Sequence, residues 1–296
     1  MNWDKAKTML IICLLGLNAF LAAMYFAYEE DYTVSREDVQ VIVSLLAENG
    51  IALDHTLSIP RRFAPVDQLV LRPPAYNTAL LLGAFFADAS NINQTIEFGN
   101  TIFTSPEGTL TISADTVLFV PSPGAETGRF GGGDNEETAQ LAFTRFVRDN
   151  AALFPGYELD SSHRELYRNV FGDTVYEFRQ VYMGYTILSN TLSFTIGGGG
   201  VSEVRFTHFP PVGFVGMRQP IISAPQALFM FKLGSAHLDK PILITRINMA
   251  HAPALAADGS GRFTTVPYYR VYSSSNTPTH INAVTGVIYS DTVLFR

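Results

Sequence analysis

The sequence contains a single cysteine, Cys13, in 296 residues. With no second thiol there is no intrachain disulfide, and past position 13 there is neither a thiol nucleophile nor a cysteine metal ligand. Lysine is almost as scarce: only Lys232 and Lys240 follow residue 7. Charged residues make up 16% of the chain and the formal net charge is −7. Setting aside Lys5, Lys7 and Asp4, the remainder carries about −8. A mildly acidic body without a basic cluster excludes nucleic acid and anionic lipid as partners.

The motifs that announce chemistry are absent too. The histidines, at 55, 163, 208, 237, 251 and 280, include no pair four residues apart, and no H-E-x-x-H occurs, so spacing offers no zinc site. Gly259-Ser260-Gly261 is not a nucleophile elbow, and no S-x-x-K is present. The glycine runs 131–133 and 197–200 lack the Lys-Ser/Thr that a phosphate loop requires. No D-x-D-x-D-G loop points to calcium. The acidic group Asp134, Glu136 and Glu137 suits a helix start, where carboxylates meet the positive end of the macrodipole. The sequence therefore designates no catalytic, cofactor-binding or metal-binding residue, and a non-enzymatic function is expected.

What is present begins with residues 9–28, MLIICLLGLNAFLAAMYFAY, which carry no charge. As a helix they reach roughly 30 Å, the thickness of a bilayer core. Lys5 and Lys7 before the stretch, and Glu29, Glu30 and Asp31 after it, place the N-terminus in the cytoplasm and the bulk outside. No A-x-A pair occurs among Ala19, Ala22, Ala23 and Ala27, so an uncleaved single-pass anchor in the cell membrane is expected. Gly16, Ala19, Ala23 and Ala27 fall on one helical face, with Asn18 deep in the stretch. Small residues and a buried amide suit contact with a partner helix.

The remainder reads as α+β. Residues 33–50 have a helical period with Ser35 as cap and Gly50 as stop. Alternation from Ile51 to Ile59 predicts a strand with His55 half-buried in it. Residues 77–87 predict a second helix, and 95–104 and 109–120 a hairpin about Ser105-Pro106-Glu107-Gly108. The Gly- and Pro-rich run 121–134 predicts a linker. Beyond it, a helix capped by Asp134 and Glu137 precedes strands at 174–183, 185–196 and 201–208. A helix opened by Ser223 and Gln226 then precedes strands at 241–249, 263–273 and 279–289. Residues 135–210 and 219–290 thus repeat one pattern of a helix and a meander. The expected architecture is a cytoplasmic stub (1–8), a transmembrane helix (9–28) and two extracytoplasmic lobes, 29–120 and 135–296. Each lobe is an antiparallel sheet with helices on one face. Within the second, Tyr268, Arg270 and Tyr272 share a strand face, either as a contact surface or as a buried row.

Two stretches carry a resemblance. Met1-Asn2-Trp3-Asp4-Lys5-Ala6-Lys7-Thr8, running into an apolar segment with Leu17-Asn18, resembles the N-terminus of the YycI (WalI) family. Pro267-Tyr268-Tyr269-Arg270-Val271-Tyr272, followed by His280-Ile281-Asn282-Ala283-Val284-Thr285-Gly286, resembles that family's C-terminal strands and is similar to the strand-turn of PepSY-type modules. The resemblance implies a membrane-anchored accessory protein of an essential two-component system that controls cell-wall metabolism in low-GC Gram-positive bacteria. Its implied partners are the related protein YycH and the sensor histidine kinase YycG, also called WalK. It implies no catalytic residue and no cofactor, and it names no ectodomain ligand. Two other classes stay open: a module that binds cell wall or an extended peptide along a sheet edge, and a hydrolase whose residues meet only in the fold.

Overall fold

The structure is a computed structural model. It describes residues 3, 7, 9, 11, 13–20, 32–123, 130, 136–159, 167–168, 173–197, 200–235, 241–253, 262–274 and 278–289. The first regular element after the N-terminal stretch is helix α1 (Arg36–Glu48), where the Ser35 hydroxyl accepts the Asp38 N–H. Strands β1 (Ile51–Leu53) and β2 (Val66–Leu71) follow, then α2 (Thr78–Phe85), capped by the Asn77 side chain. An antiparallel run comes next: β3 (Asn93–Glu97), β4 (Asn100–Ser105), β5 (Gly108–Ile112) and β6 (Thr116–Pro121). Helix α3 (Glu136–Asp149) leads into β7 (Tyr157–Leu159), β8 (Tyr167–Arg168), β9 (Thr174–Tyr182), β10 (Tyr185–Gly197), β11 (Gly200–Thr207) and β12 (Pro211–Gln219). Helix α4 (Ala224–Gly234) leads into β13 (Ile242–Pro253), β14 (Phe263–Ser273), β15 (Thr279–Asn282) and β16 (Ile288–Tyr289).

These strands do not form two lobes. Among the described residues they join into one 16-stranded mixed sheet, with the main path β12-β2-β14-β13-β10-β11-β6-β5-β4-β3. Strand β6 pairs with β11 (Phe119 opposite Val204), which carries the first half of the chain directly into the second. Two parallel joints, β1 with β13 and β10 with β13, interrupt the antiparallel pattern. The expectation of two separate antiparallel sheets is therefore corrected. Its physical reason is visible at Phe130, inside the run read as a linker. Its ring is buried and packs 5.1–6.2 Å from the rings of Phe85, Phe119, Phe146 and Phe194. Flanking glycines disguised a core residue as linker composition.

The transmembrane helix is corrected as well. Among the described residues, no helix is long and apolar enough to cross a membrane. The longest described helix, α3, has 14 residues, about 21 Å at 1.5 Å per residue, against roughly 30 Å for a bilayer core.

Two buried clusters hold the sheet. In one, α2 and α3 lay Leu81, Phe85, Phe143 and Phe146 over Phe103, Phe119, Phe194 and Phe206 of the strands. Phe143 stacks on Phe194 with centroids 4.2 Å apart and planes 7° from parallel. In the other, α1 and α4 bring Leu46, Leu228 and Phe231 onto Ile244, Tyr269, Val271 and Ile281. Burial of a large apolar side chain contributes about 1.5–3 kcal/mol, so these two faces dominate the stability. The Ser223–Gln226 capping box starts α4 as the sequence predicts.

Candidate functional site

The polar side chains that converge in the interior are engaged with backbone. Asn190, fully buried, donates to the Gln180 Oε1 (2.6 Å) and the Phe209 carbonyl (2.9 Å), and accepts the Phe209 N–H (2.8 Å). Gln180 in turn donates to the Pro155 carbonyl. Together they lash the β11–β12 connection and the turn before β7 to β9 and β10. Beside them Tyr157 donates to the Thr207 carbonyl at 3.0 Å and meets His208 Nδ1 at 3.1 Å. Burial lowers the His208 pKa to about 4 and raises that of the Tyr157 hydroxyl well above its usual value. Both are therefore neutral at physiological pH. Arg179, buried on β9, donates to the Leu188 carbonyl at 2.7 Å and pairs with Glu177.

The row Tyr268, Arg270 and Tyr272 is buried rather than presented. Arg270 stands opposite Asn248 on one side and His280 on the other. Its guanidinium lies 4.9 Å from the Tyr272 ring, and that of Arg246 lies 4.1 Å from the same ring, a cation–π arrangement. The row is a polar seam between β13, β14 and β15, not a contact surface. His55, expected half-buried on a strand, is exposed instead: β1 ends at Leu53 and the ring is solvated beside Asp54. Among the described residues no group of three or more His, Cys, Asp or Glu could hold a metal ion. A shallow groove along α1 is lined by Glu37, Gln40, Val41, Ser44, Leu45 and Glu48.

Of the residues read as a partner-binding face, Gly16, Asn18 and Ala19 lie in the exposed helical stretch 13–20, and nothing approaches a Cβ built at Gly16. Ala23 and Ala27 lie outside the described residues.

What sequence reasoning missed is the Phe98-Gly99 turn and the backbone conformation it shares with the turn at Met183-Gly184. Among the described residues, Phe98 (φ 49°) and Met183 (φ 48°) are the two non-glycine residues with positive φ. Each precedes a glycine that also has positive φ, Gly99 at 82° and Gly184 at 85°, the signature of a type I′ hairpin. The first φ-positive position favours Asn or Asp; here it holds a bulky apolar residue in solvent, with Met183 73% exposed. Around the Met183 turn stand the partly exposed rings of Tyr182, Tyr185 and Phe214. Tyr185 and Phe214 meet edge to face at 5.7 Å, and both pack on His251. The available signal was the Met-Gly dipeptide between two strand patterns.

The described residues form a sheet-built protein in which buried Arg179, Gln180 and Asn190 are tied to backbone and the hairpin tips at Phe98 and Met183 face water. No known family model and no curated protein sequence matches the chain. Among solved structures, an uncharacterized protein from Eubacterium rectale is similar over 88% of this chain and 99% of its own, with a TM-score of 0.50 and 13% identity; the likeness is one of fold. YycH from Bacillus subtilis is similar over 79% of this chain and 56% of its own, with a TM-score of 0.41 and 12% identity.

Proposed function

We propose that this protein is a non-enzymatic regulator that works by protein–protein contact. The observation that carries the reading is the Met183-Gly184 turn. Holding a non-glycine residue in the left-handed region costs about 1–2 kcal/mol. Leaving a thioether in water adds nothing to the fold's stability. Both costs are offset if the tip is buried against a partner. The partly exposed rings of Tyr182, Tyr185 and Phe214 around it supply aromatic area of the kind that anchors an interface.

The identity of the partner rests on the resemblance of Met1–Thr8 and of Pro267–Tyr272 to the YycI family. On that basis the partners proposed are a sensor histidine kinase of the YycG/WalK kind and YycH, within a two-component system controlling cell-wall metabolism. Placement of the body outside the cytoplasm belongs to the same proposal and has the same basis. Physically, such a regulator biases the kinase only by binding one of its signalling states more tightly than another.

The test is co-purification of the kinase and YycH with the wild-type chain and with Met183→Asn, which keeps the turn geometry and removes the apolar tip. Capture by wild type and at least about tenfold less by the variant supports the tip as the anchor. Equal capture moves recognition elsewhere on the chain. No capture by either overturns the regulator reading.

A further inference from the structure

The main path of the sheet ends differently at its two edges. Strand β12 forms one. It opens with Pro211, and its register against β2 slips twice, between Pro211 and Gly213 and between Val215 and Arg218. Proline, irregular register and an arginine are devices that discourage strand addition. Strand β3 forms the other edge and has none of them. Its five residues pair with β4 one for one, from Asn93 opposite Thr104 to Glu97 opposite Asn100. All five are exposed, and Glu97 at the end is their sole charge. Among the described residues no strand pairs with the outer side of β3.

The apolar lining also runs past its cover here. Reading across the strands, Val117, Ile112, Thr101 and Ile96 form one row. Val117 is 1% exposed at the inner end and Ile96 72% at the edge. Phe98, in the adjoining turn, is fully exposed.

We propose that β3 pairs antiparallel with β3 of a second copy of this chain, about a twofold axis at Thr95. The strand is self-complementary in that register. Glu97 faces Asn93 of the other copy, so carboxylate meets amide and no like charges oppose. Ile96 faces Gln94, with the two Ile96 side chains diagonal on one face, within reach of one another. Phe98 falls in line with Ile92, which is already extended (φ −98°, ψ 122°) and packed on the aromatic core. The contact is isologous, as a closed dimer requires. A ladder this short is smaller than a standard stable interface, so the dimer is a weak, exchanging one.

The test is sedimentation velocity on the full-length chain over a concentration series, with Thr95→Lys, Thr95→Glu and their equimolar mixture. Thr95 is exposed, and far-UV circular dichroism verifies that each variant is folded. At a twofold axis, residue 95 of one copy lies directly opposite residue 95 of the other, about 4.5–5.5 Å apart at Cβ. Wild type is expected to dimerise, and each variant alone to do so at least about tenfold more weakly through like-charge opposition. The mixture is expected to recover association as a Lys–Glu heterodimer. Association unchanged in both variants overturns the proposal, because the contact then lies elsewhere. A wild type that stays monomeric throughout overturns it, and capture of an extended peptide by such a monomer assigns the edge to a foreign strand. Loss in both variants without recovery in the mixture overturns the Thr95 register.

Discussion

The hydroxyl oxygen of Thr265 lies 2.9 Å from Nδ1 of His251 and accepts the backbone N–H of Leu69 at 3.2 Å. The imidazole ring packs edge to face against Tyr185 and Phe214. One threonine thus holds a fully buried histidine of β13 and ties β2 to β14.

Acid should unfold this protein through its buried histidines. Burial lowers the pKa of His251, and also that of His208, from 6.5 to about 4. A depressed folded-state pKa means the unfolded chain binds more protons between those values, so stability is intact above about pH 6.5 and falls as pH drops toward 4. For His251 the loss approaches about 3 kcal/mol; for the partly exposed His208 it is smaller. Denaturant midpoints measured from pH 7.5 to pH 4 should fall, and His251→Gln should flatten much of that slope.

The aromatic core should be unforgiving on one side of α3 and indifferent on the other. Phe143→Ala removes a fully buried ring stacked on Phe194 and should cost about 3–5 kcal/mol. Leu141→Ala, two residues away and 66% exposed, should change stability by less than about 0.5 kcal/mol. Paired chemical denaturation curves decide it, and equal effects would contradict the packing described.

Asn190→Ala should cost about 2–4 kcal/mol, because it strands both the N–H and the carbonyl of Phe209, each about 1–3 kcal/mol when left unmade inside a protein. Hydrogen exchange should show loss of protection beginning at the β11–β12 connection. A global loss with no local signature there would mean the network is not what pins it.

The two apolar turns should trade stability for contact. Phe98→Asn and Met183→Asn place a residue tolerant of left-handed φ at 49° and 48° and should raise stability by up to about 1 kcal/mol. Thermal unfolding checks the gain. A decrease in both would mean these side chains stabilise the isolated fold after all.

Local signals in the sequence located much of the secondary structure. Ser35, Asn77 and the Ser223–Gln226 pair cap helices that begin where capping chemistry places them. The strands flanking Met183-Gly184 and those after Lys240 follow their alternation closely. Elements were lost where local pattern and tertiary pairing disagree. Residues 95–104 alternate as one strand, yet Phe98 and Gly99 fold them into a hairpin, because a single Phe-Gly gives a weaker turn signal than Asn-Gly. The run 51–59 alternates throughout, but only Ile51–Leu53 find a partner, β13. The joining of the sheet across β6 and β11, and the parallel joints to β13, depend on contacts between distant residues that no window of sequence contains. For the same reason the buried seam at Arg270 and the bare tip at Met183 could not be told apart from sequence alternation alone.

The tie between Leu69 and Thr265 spans 196 positions, and β1 likewise waits for β13. During synthesis at about 5–20 residues per second, the ribosome delivers β2 roughly 10–40 s before the strand that completes it. Leu69 and Leu71, fully buried in the finished sheet, stay without their cover through that interval. The nascent protein is therefore most at risk of misassembly late in translation, and slowing elongation should lower its yield more than that of a protein whose sheet closes locally.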